Sequence, residues 1–366
     1  MFIGFLLLFL GILVGANIYL SQRIAWYFGV NRTWVLNIVF GVMTLYMFFG
    51  LIPFANATNT VGLLIYSGAA ITMGVLLYLL LSVAVVDVMR LFSALTPQTY
   101  GMIALSLTLL VTAYGAWNAS QLKVTSLEIP VKDLQKTTKV MHWSDIHLGH
   151  FRGKAHLDKI VDATNQQDIE AVFLTGDLFD GRIQLKEETL EPLKRLDVPV
   201  YFVEGNHDGY TGPDTIKQML RKAGVIVLEN EVAHFKELQI IGLNHLLADE
   251  GKVNMHATGK GPTIKSVMES MPLNDKKPSV LLHHSPDGIQ YAEKRGIDLY
   301  LSGHTHAGQI FPITLVAGLI FDYNKGLHHF KNTRIFVSQG AGTFGPPMRV
   351  GTKSEITVVT LKPLEK

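Results

Sequence analysis

Hydrophobic residues follow two different patterns along this chain. Over roughly the first third they form long unbroken runs, Phe2 to Leu20, Trp34 to Phe54, Val61 to Val86 and Thr99 to Trp117, with Arg23, Arg32, Asp87 and Arg90 between them. A helix of about 20 apolar residues crosses the hydrocarbon layer, so these runs predict four transmembrane helices (2-20, 34-54, 61-86 and 99-117) within a helical region 1-118. Trp26, Tyr27, Trp34, Tyr100, Tyr114 and Trp117 stand near the predicted ends, where aromatic belts form. The first run has no basic start and no small-residue cleavage site, so it reads as a retained helix and not as a signal peptide. Asp87 and Arg90, three apart at a helix end, read as a solvated ion pair at the interface.

The second pattern begins at about Ser120. A linker, 119-138, carries strand-like residues at Lys123 to Ile129. Then short apolar runs end in polar residues at Val140 to Asp145, Ala171 to Asp177 and Val200 to Asn206, and again at Gln239 to Asn244, Ser279 to His284, Asp298 to His304 and Arg334 to Ser338. Runs of this length with polar ends are buried strands. Lys154 to Asn165 and Leu185 to Leu196 read as helices between the early strands, a βαβ rhythm that predicts an α/β domain over 139-366.

Composition narrows the class. Charged residues are only 17% of the chain, mean hydropathy is positive and the formal net charge is +2, which argues for a membrane lipid bilayer as partner and against nucleic acid. No obligate protein partner is signalled. Cysteine is absent, which excludes disulfides and thiolate metal sites and leaves the redox compartment open. Arg23, Arg32 and Arg90 fall in the first and third loops and none in the loop Asn56 to Thr60. The expected location is a multi-pass cell-membrane protein with those loops cytoplasmic and the α/β domain extracytoplasmic.

The polar strand ends form one set: Asp145-x-His147, Gly176-Asp177, Gly205-Asn206-His207-Asp208, His283-His284-Ser285-Pro286 and Gly303-His304-Thr305-His306. All their donors are oxygen or imidazole nitrogen. Asp145 and His147, two apart on an extended segment, can face one ion from the same side, and His304 and His306 can do so if the turn bends them. Carboxylates, an amide and neutral imidazoles suit Mn²⁺, Fe or Zn²⁺, and two cations need a bridging anion such as Asp177.

In this order the blocks D-x-H, G-D, G-N-H-D, H and G-H-x-H resemble the calcineurin-like metallophosphoesterase family, from about Lys139 to Leu361. The resemblance implies a two-sheet β-sandwich flanked by helices, α-β-β-α, behind the transmembrane region. It implies that Asp145, His147, Asp177 and His306 hold one divalent metal and Asp177, Asn206, His284 and His304 a second. Manganese is the expected ion, with iron, zinc or magnesium as alternatives. It further implies that His207 stabilises or protonates the leaving oxygen with Asp208 orienting it, and that a water activated by the two cations attacks phosphorus. His283 is expected to point away. Asp180 stands where purple acid phosphatases carry a tyrosine ligand, and Gly-Asn-His-Asp differs from the Gly-Asn-His-Glu of serine/threonine protein phosphatases; both differences argue against those branches. Leu301 to Ile310, Ser338 to Thr343, Arg349 and Glu355 to Thr357 are similar to bacterial membrane-associated phosphodiesterases and to transmembrane proteins with a metallophosphoesterase domain, although Ala307 replaces their usual glycine.

The implied activity is hydrolysis of a phosphodiester, phosphomonoester or pyrophosphate bond. The alternative is a catalytically silent membrane sensor or binding protein on the same fold; no expected ligand is missing from the sequence, which favours the enzyme. Arg349 and His245 are candidate substrate-binding residues, with Asp249 to Pro272, including His256, as a loop or lid. Ile310 to Phe321 is apolar and too short to cross a bilayer. A segment of this kind beside the site could dip into the interface and admit a lipid, making an amphiphilic phosphate the expected substrate.

Overall fold

The computed structural model describes residues 2–249 and 261–364. The chain divides into two compact units, Met1–Trp117 with Gly345–Met348, and Asn118–Phe344 with Arg349–Lys366.

Four helices make up the first unit: α1 (Phe2–Phe28), α2 (Thr33–Leu51), α3 (Thr60–Met89) and α4 (Pro97–Ser120). All four are long and apolar enough to cross a membrane. Three run past their expected ends, while α2 stops at Leu51 just before Pro53, where proline cannot continue the backbone hydrogen bonding. Leu20, Tyr27, Phe40, Val83, Tyr100 and Ala104 pack together in the unit's core. Arg23 lies within α1 and not between spans. Its Nε is 2.7 Å from Asp87, whose carboxylate also receives Tyr19 Oη at 2.7 Å and Arg90 Nη1 at 3.0 Å. The expected solvated pair is therefore a half-buried network, because a carboxylate in apolar surroundings requires several donors to offset lost hydration.

The second unit is a sandwich. Its first strands are β1 (Leu122–Val131), β2 (Thr138–Trp143) and β3 (Leu148–Gly149), followed by α5 (Lys154–Asn165), β4 (Ala171–Thr175), β5 (Phe179–Asp180) and β6 (Val200–Val203). Next come α6 (Asn206–Thr211), α7 (Pro213–Lys222), β7 (Ile226–Val227), β8 (Glu231–Phe235), β9 (Leu238–Gly242), α8 (Ile264–Ser270), β10 (Ser279–Leu282) and α9 (Ile289–Lys294). The remainder is β11 (Leu299–Ser302), α10 (Ile313–Ile320), β12 (Gly326–Phe330), β13 (Thr333–Val337) and β14 (Ser354–Pro363). One sheet has the order β1-β14-β2-β4-β6-β7, the other β12-β13-β11-β10-β9-β8, and β3 pairs with β5.

Side-chain alternation builds the layers. In β4, Ala171 and Phe173 face the opposite sheet and pack with Val280, Leu282, Leu299 and Leu301. Their neighbours Val172 and Leu174 face outward onto Leu157, Ile160 and Val161 of α5 and Leu220 of α7. Leu281 likewise turns outward, packing with Ile264 and Met268 of α8 and Ile289 of α9. Period-two strands buried on both faces produce the expected α-β-β-α order. The stretch Leu185 to Leu196, expected as an α-helix, instead forms 3₁₀ turns at Glu187–Arg195, since Pro192 has no N–H to donate.

Candidate metal centre

Each strand run ends where the backbone leaves the sheet, and there the chain adopts conformations that L-residues avoid. Asp145, His147, Asp177, His304 and His306 all have positive φ, between 48° and 71°. Left-handed turns of this kind cost free energy and persist where packing enforces them, commonly at functional sites. Close approach also demands glycine. A Cβ on Gly303 would lie 1.9 Å from Ser144 Oγ and 2.1 Å from Asp145 Oδ2, and one on Gly205 would lie 2.2 Å from Asp177 Oδ1.

Three groups of candidate ligands are found among the described residues, Asp145, His147 and His306, then Asp177, His284 and His304, and a third that shares His147 with Asp180 and His207, the ligand atoms of each lying within 4.8 Å of one another. In the first, His147 Nε2 is 3.0 Å from His306 Nε2, and Asp145 Oδ1 is 3.3 Å from His306 Nε2. In the second, His304 Nδ1 is 2.9 Å from Asn206 Oδ1 and 3.2 Å from His284 Nε2. Asp177 Oδ2 lies between the clusters, 3.1 Å from His284 Nε2 and 3.7 Å from His147 Nε2, the position a bridging carboxylate needs.

The donor set fits divalent cations. Asp145 and Asp177 are buried carboxylates whose ion-pair partners among the described residues are histidines alone, and buried anions of this kind require a compensating charge. Burial pushes the His147 imidazole down to about 3, keeping it in the neutral form that ligates. The Nδ1 of His284 is 2.7 Å from the carbonyl oxygen of Thr175, an outer contact that leaves Nε2 directed at the cluster.

His207 sits beside the first cluster, its ring 4.8 Å from that of His147. Its backbone N–H donates to Asp177 Oδ1 at 2.8 Å, and its Nδ1 is 2.9 Å from Asp180 Oδ1. Burial would lower the His207 pKa, but the Asp177 and Asp180 carboxylates outweigh it and push the group up to about 10.

Several expectations are corrected. Asp208 does not orient His207; its carboxylate accepts the backbone N–H groups of Phe179 and Gly205, each at 3.0 Å, and so ties two loops together. Asp180 has the orienting position. Arg349, expected to meet substrate, is fully buried. Its Nη2 donates to the carbonyls of Gln339 at 2.6 Å and Gly342 at 2.7 Å, and the same atom lies 3.1 Å from His306 Nδ1. This arginine therefore clamps the loop behind His306. Arg349→Met should lower the unfolding free energy by about 2 kcal/mol or more by stranding those carbonyls, without raising KM for a small ester. A raised KM with an unchanged melting temperature would return Arg349 to the substrate.

His245 is not a solvated loop histidine. Its ring lies 5.7 Å from that of His284 and 5.9 Å from that of His304, with no hydrogen-bond partner on either nitrogen among the described residues. His283 faces away, its Nδ1 2.7 Å from Tyr300 Oη. His256 and residues 250–260 of the expected lid lie outside the described residues, and 264–270 of it is α8. The sequence assigns no role to Phe344, or to Gln309 within the stretch Leu301 to Ile310. Phe344 places its ring 4.9 Å from His306, and Gln309 holds it by hydrogen bonds to both its backbone N–H and its carbonyl. Only the Gln309 position, three residues beyond His306, could have drawn attention in sequence.

The model of the calcineurin-like phosphoesterase family matches residues 138–308. An uncharacterized metallophosphoesterase of Aquifex aeolicus is 30% identical over 268 residues, covering 70% of this chain and 98% of that protein. An uncharacterized metallophosphoesterase of Helicobacter pylori is 34% identical over 245 residues, 66% of this chain and 64% of its own length. A transmembrane protein with metallophosphoesterase domain of Danio rerio is 33% identical over 276 residues, 71% of this chain and 62% of its own. The matches to these last two span less than two thirds of either relative. With its strand-end ligand clusters and its likeness to the Aquifex protein over nearly that protein's whole length, the chain belongs to the calcineurin-like phosphoesterase family.

Proposed function

We propose that the protein is a membrane-anchored, dinuclear metal-dependent phosphoesterase. Its substrate is an amphiphilic phosphodiester, phosphomonoester or pyrophosphate, lipid or lipid-linked, and its domain is extracytoplasmic. The observation that carries this reading is the position of Asp177, a member of one ligand cluster that also lies 3.7 Å from His147 of the other, with His207 alongside. Asp145, His147, Asp177 and His306 would hold one cation and Asp177, Asn206, His284 and His304 the other, with Mn²⁺ the expected ion. When bound, the two cations supply the Lewis acidity that activates water and holds phosphoryl oxygens.

The chain's own residues do the rest. His207, protonated and held by Asp180, gives its Nε2 proton to the departing oxygen. His245, whose nitrogens have no hydrogen-bond partner among the described residues and lie beside His284 and His304, meets a phosphoryl oxygen on the other side. Phe344 and Phe321, the latter 5.9 Å from the His304 ring, offer carbon surface for an apolar substituent. The test is phosphate-ester hydrolysis by purified protein with Mn²⁺, across lipid phosphates, lipid-linked pyrophosphates, nucleotides and a soluble aryl diester. Metal binding with no turnover of any of them would leave the silent binding role instead.

Asp180→Asn tests the proton. Asp180 raises the His207 pKa, and the acid form is the active one, so activity is lost as pH rises through that value. Removing the carboxylate should bring the loss to lower pH, moving the alkaline limb of the kcat profile down by about one unit or more. An unmoved limb would detach Asp180 from the proton.

A further inference from the structure

Between Phe311 and Phe321 the chain carries no charged residue. The structure folds Ile313–Ile320 of this stretch into α10 and leaves it bare. Leu319 is 88% exposed, Ile320 69% and Leu315 60%, with Ile313, Val316 and Phe311 also exposed. Ala317 is the buried residue of the helix. Leu315 and Leu319, and Val316 and Ile320, are pairs four apart, so they form two adjacent rows on one side of the helix. The fold does not tuck this segment under a sheet edge. A soluble surface rarely keeps a contiguous apolar patch of this kind without a partner.

Two observations say what the partner is. First, the same chain holds four helices able to cross a membrane, and only Gln121 separates α4 from β1. A tether this short keeps a bilayer surface at high effective concentration around the domain. Second, α10 is joined to the candidate centre at both ends. It starts a few residues after His306, and at its far end the Phe321 ring meets the His304 ring edge-on at 5.9 Å, while Thr305 Oγ1 donates to the carbonyl of Asn324. Apolar carbon thus runs without a break in the chain from the exposed helix to the second ligand cluster.

We infer that α10 is an interfacial helix, seated in the acyl-chain boundary of a bilayer, that leads the apolar part of a lipid phosphate past Phe321 to the His304 side of the site. The inference rests on the phosphoesterase reading for its substrate and on α10 alone for its lipid contact. A short helix lying in the interface plane with its apolar side down gains by burying these side chains, and the phosphate of the same lipid is then at the depth where the ligand clusters can meet it.

The absence of cysteine from the sequence makes a direct test possible. Leu319→Cys, and separately Val316→Cys, in the full chain can be labelled with an environment-sensitive nitrobenzoxadiazole probe and reconstituted in phosphatidylcholine–phosphatidylglycerol vesicles. The expected result is blue-shifted emission, quenched by lipids carrying a nitroxide on the acyl chain and not by aqueous iodide. Quenching by iodide alone would place α10 in water and overturn the inference. Protection from both quenchers would mean that protein covers it, a second copy included, and would overturn it equally. In parallel, the triple substitution Leu315→Ser, Leu319→Ser and Ile320→Ser should lower the ratio of kcat/KM on a vesicle phospholipid to that on a soluble aryl diester by about tenfold or more. An unchanged ratio refutes the lipid hand-off. Wild-type turnover of the soluble diester with Mn²⁺ reads the phosphoesterase assignment separately, so its failure would leave the probe result standing on its own.

Discussion

Asp177→Ala should purify without either divalent cation and lose turnover of a soluble aryl diester by on the order of 10³-fold or more. Asp177 Oδ2 lies 3.1 Å from His284 Nε2 and 3.7 Å from His147 Nε2, one nitrogen from each cluster. In the proposed centre, removing it would take a ligand from both positions at once and also the anion that offsets repulsion between two cations. Asn206 lies against the second cluster, its Oδ1 2.9 Å from His304 Nδ1, so Asn206→Ala should empty one position and leave the other filled. Metal content measured by mass spectrometry beside the rate decides the matter. An Asp177→Ala protein that keeps both ions would remove the bridge from the assignment. His207 N also donates to Asp177 Oδ1, so some change in the turn is expected, and circular dichroism would separate a displaced loop from an unfolded domain.

His207→Ala should behave differently, keeping both cations while kcat falls by roughly 10²–10⁴-fold, the range for loss of a positioned proton donor. The contrast follows from geometry, because the His207 ring stacks edge-on against His147 and bonds to Asp180 through Nδ1, leaving its other nitrogen for substrate. The loss should be smallest for a substrate whose leaving group is acidic enough to depart without a proton, such as a nitrophenol, and larger for an alkyl ester. Equal losses on both would argue that His207 acts by holding its neighbours and not by giving a proton. Retained metal is the second readout, since a purely structural role would change metal content and rate together.

Asp208 and Asp180 show why adjacent roles were misassigned from sequence. Asp208 follows His207 directly, and the family resemblance implies that it orients the imidazole. Here α6 begins at Asn206, so its first turn sends the Asp208 carboxylate back onto the N–H groups of Gly205 and Phe179. The partner of His207 comes instead from Asp180, 27 residues earlier. Arg349 was misread for a related reason: charge in a motif-rich tail suggests a phosphate, whereas the burial of its guanidinium among the carbonyls of Gln339, Gly340 and Gly342 depends on a loop whose path no local pattern encodes. No apolar run marks β8 or β12, because pairing with β9 and β13 and not their own hydropathy makes them strands.

What the amino-acid order determined by itself is local and periodic. Uncharged runs of transmembrane length set four helices. Short apolar runs with helical stretches between them set an α/β domain, and the polar residues that close the runs put the candidate ligands Asp145, His147, Asp177, Asn206, His284, His304 and His306 at strand ends. Tertiary structure alone decided which of these groups face one another, which carboxylate reaches His207, and whether an apolar stretch is hidden or bare. The exposure of α10 is the plainest case: hydropathy measures the cost of contact with water, and only the packing of the rest of the chain determines whether that cost is removed by protein or left for a bilayer to remove.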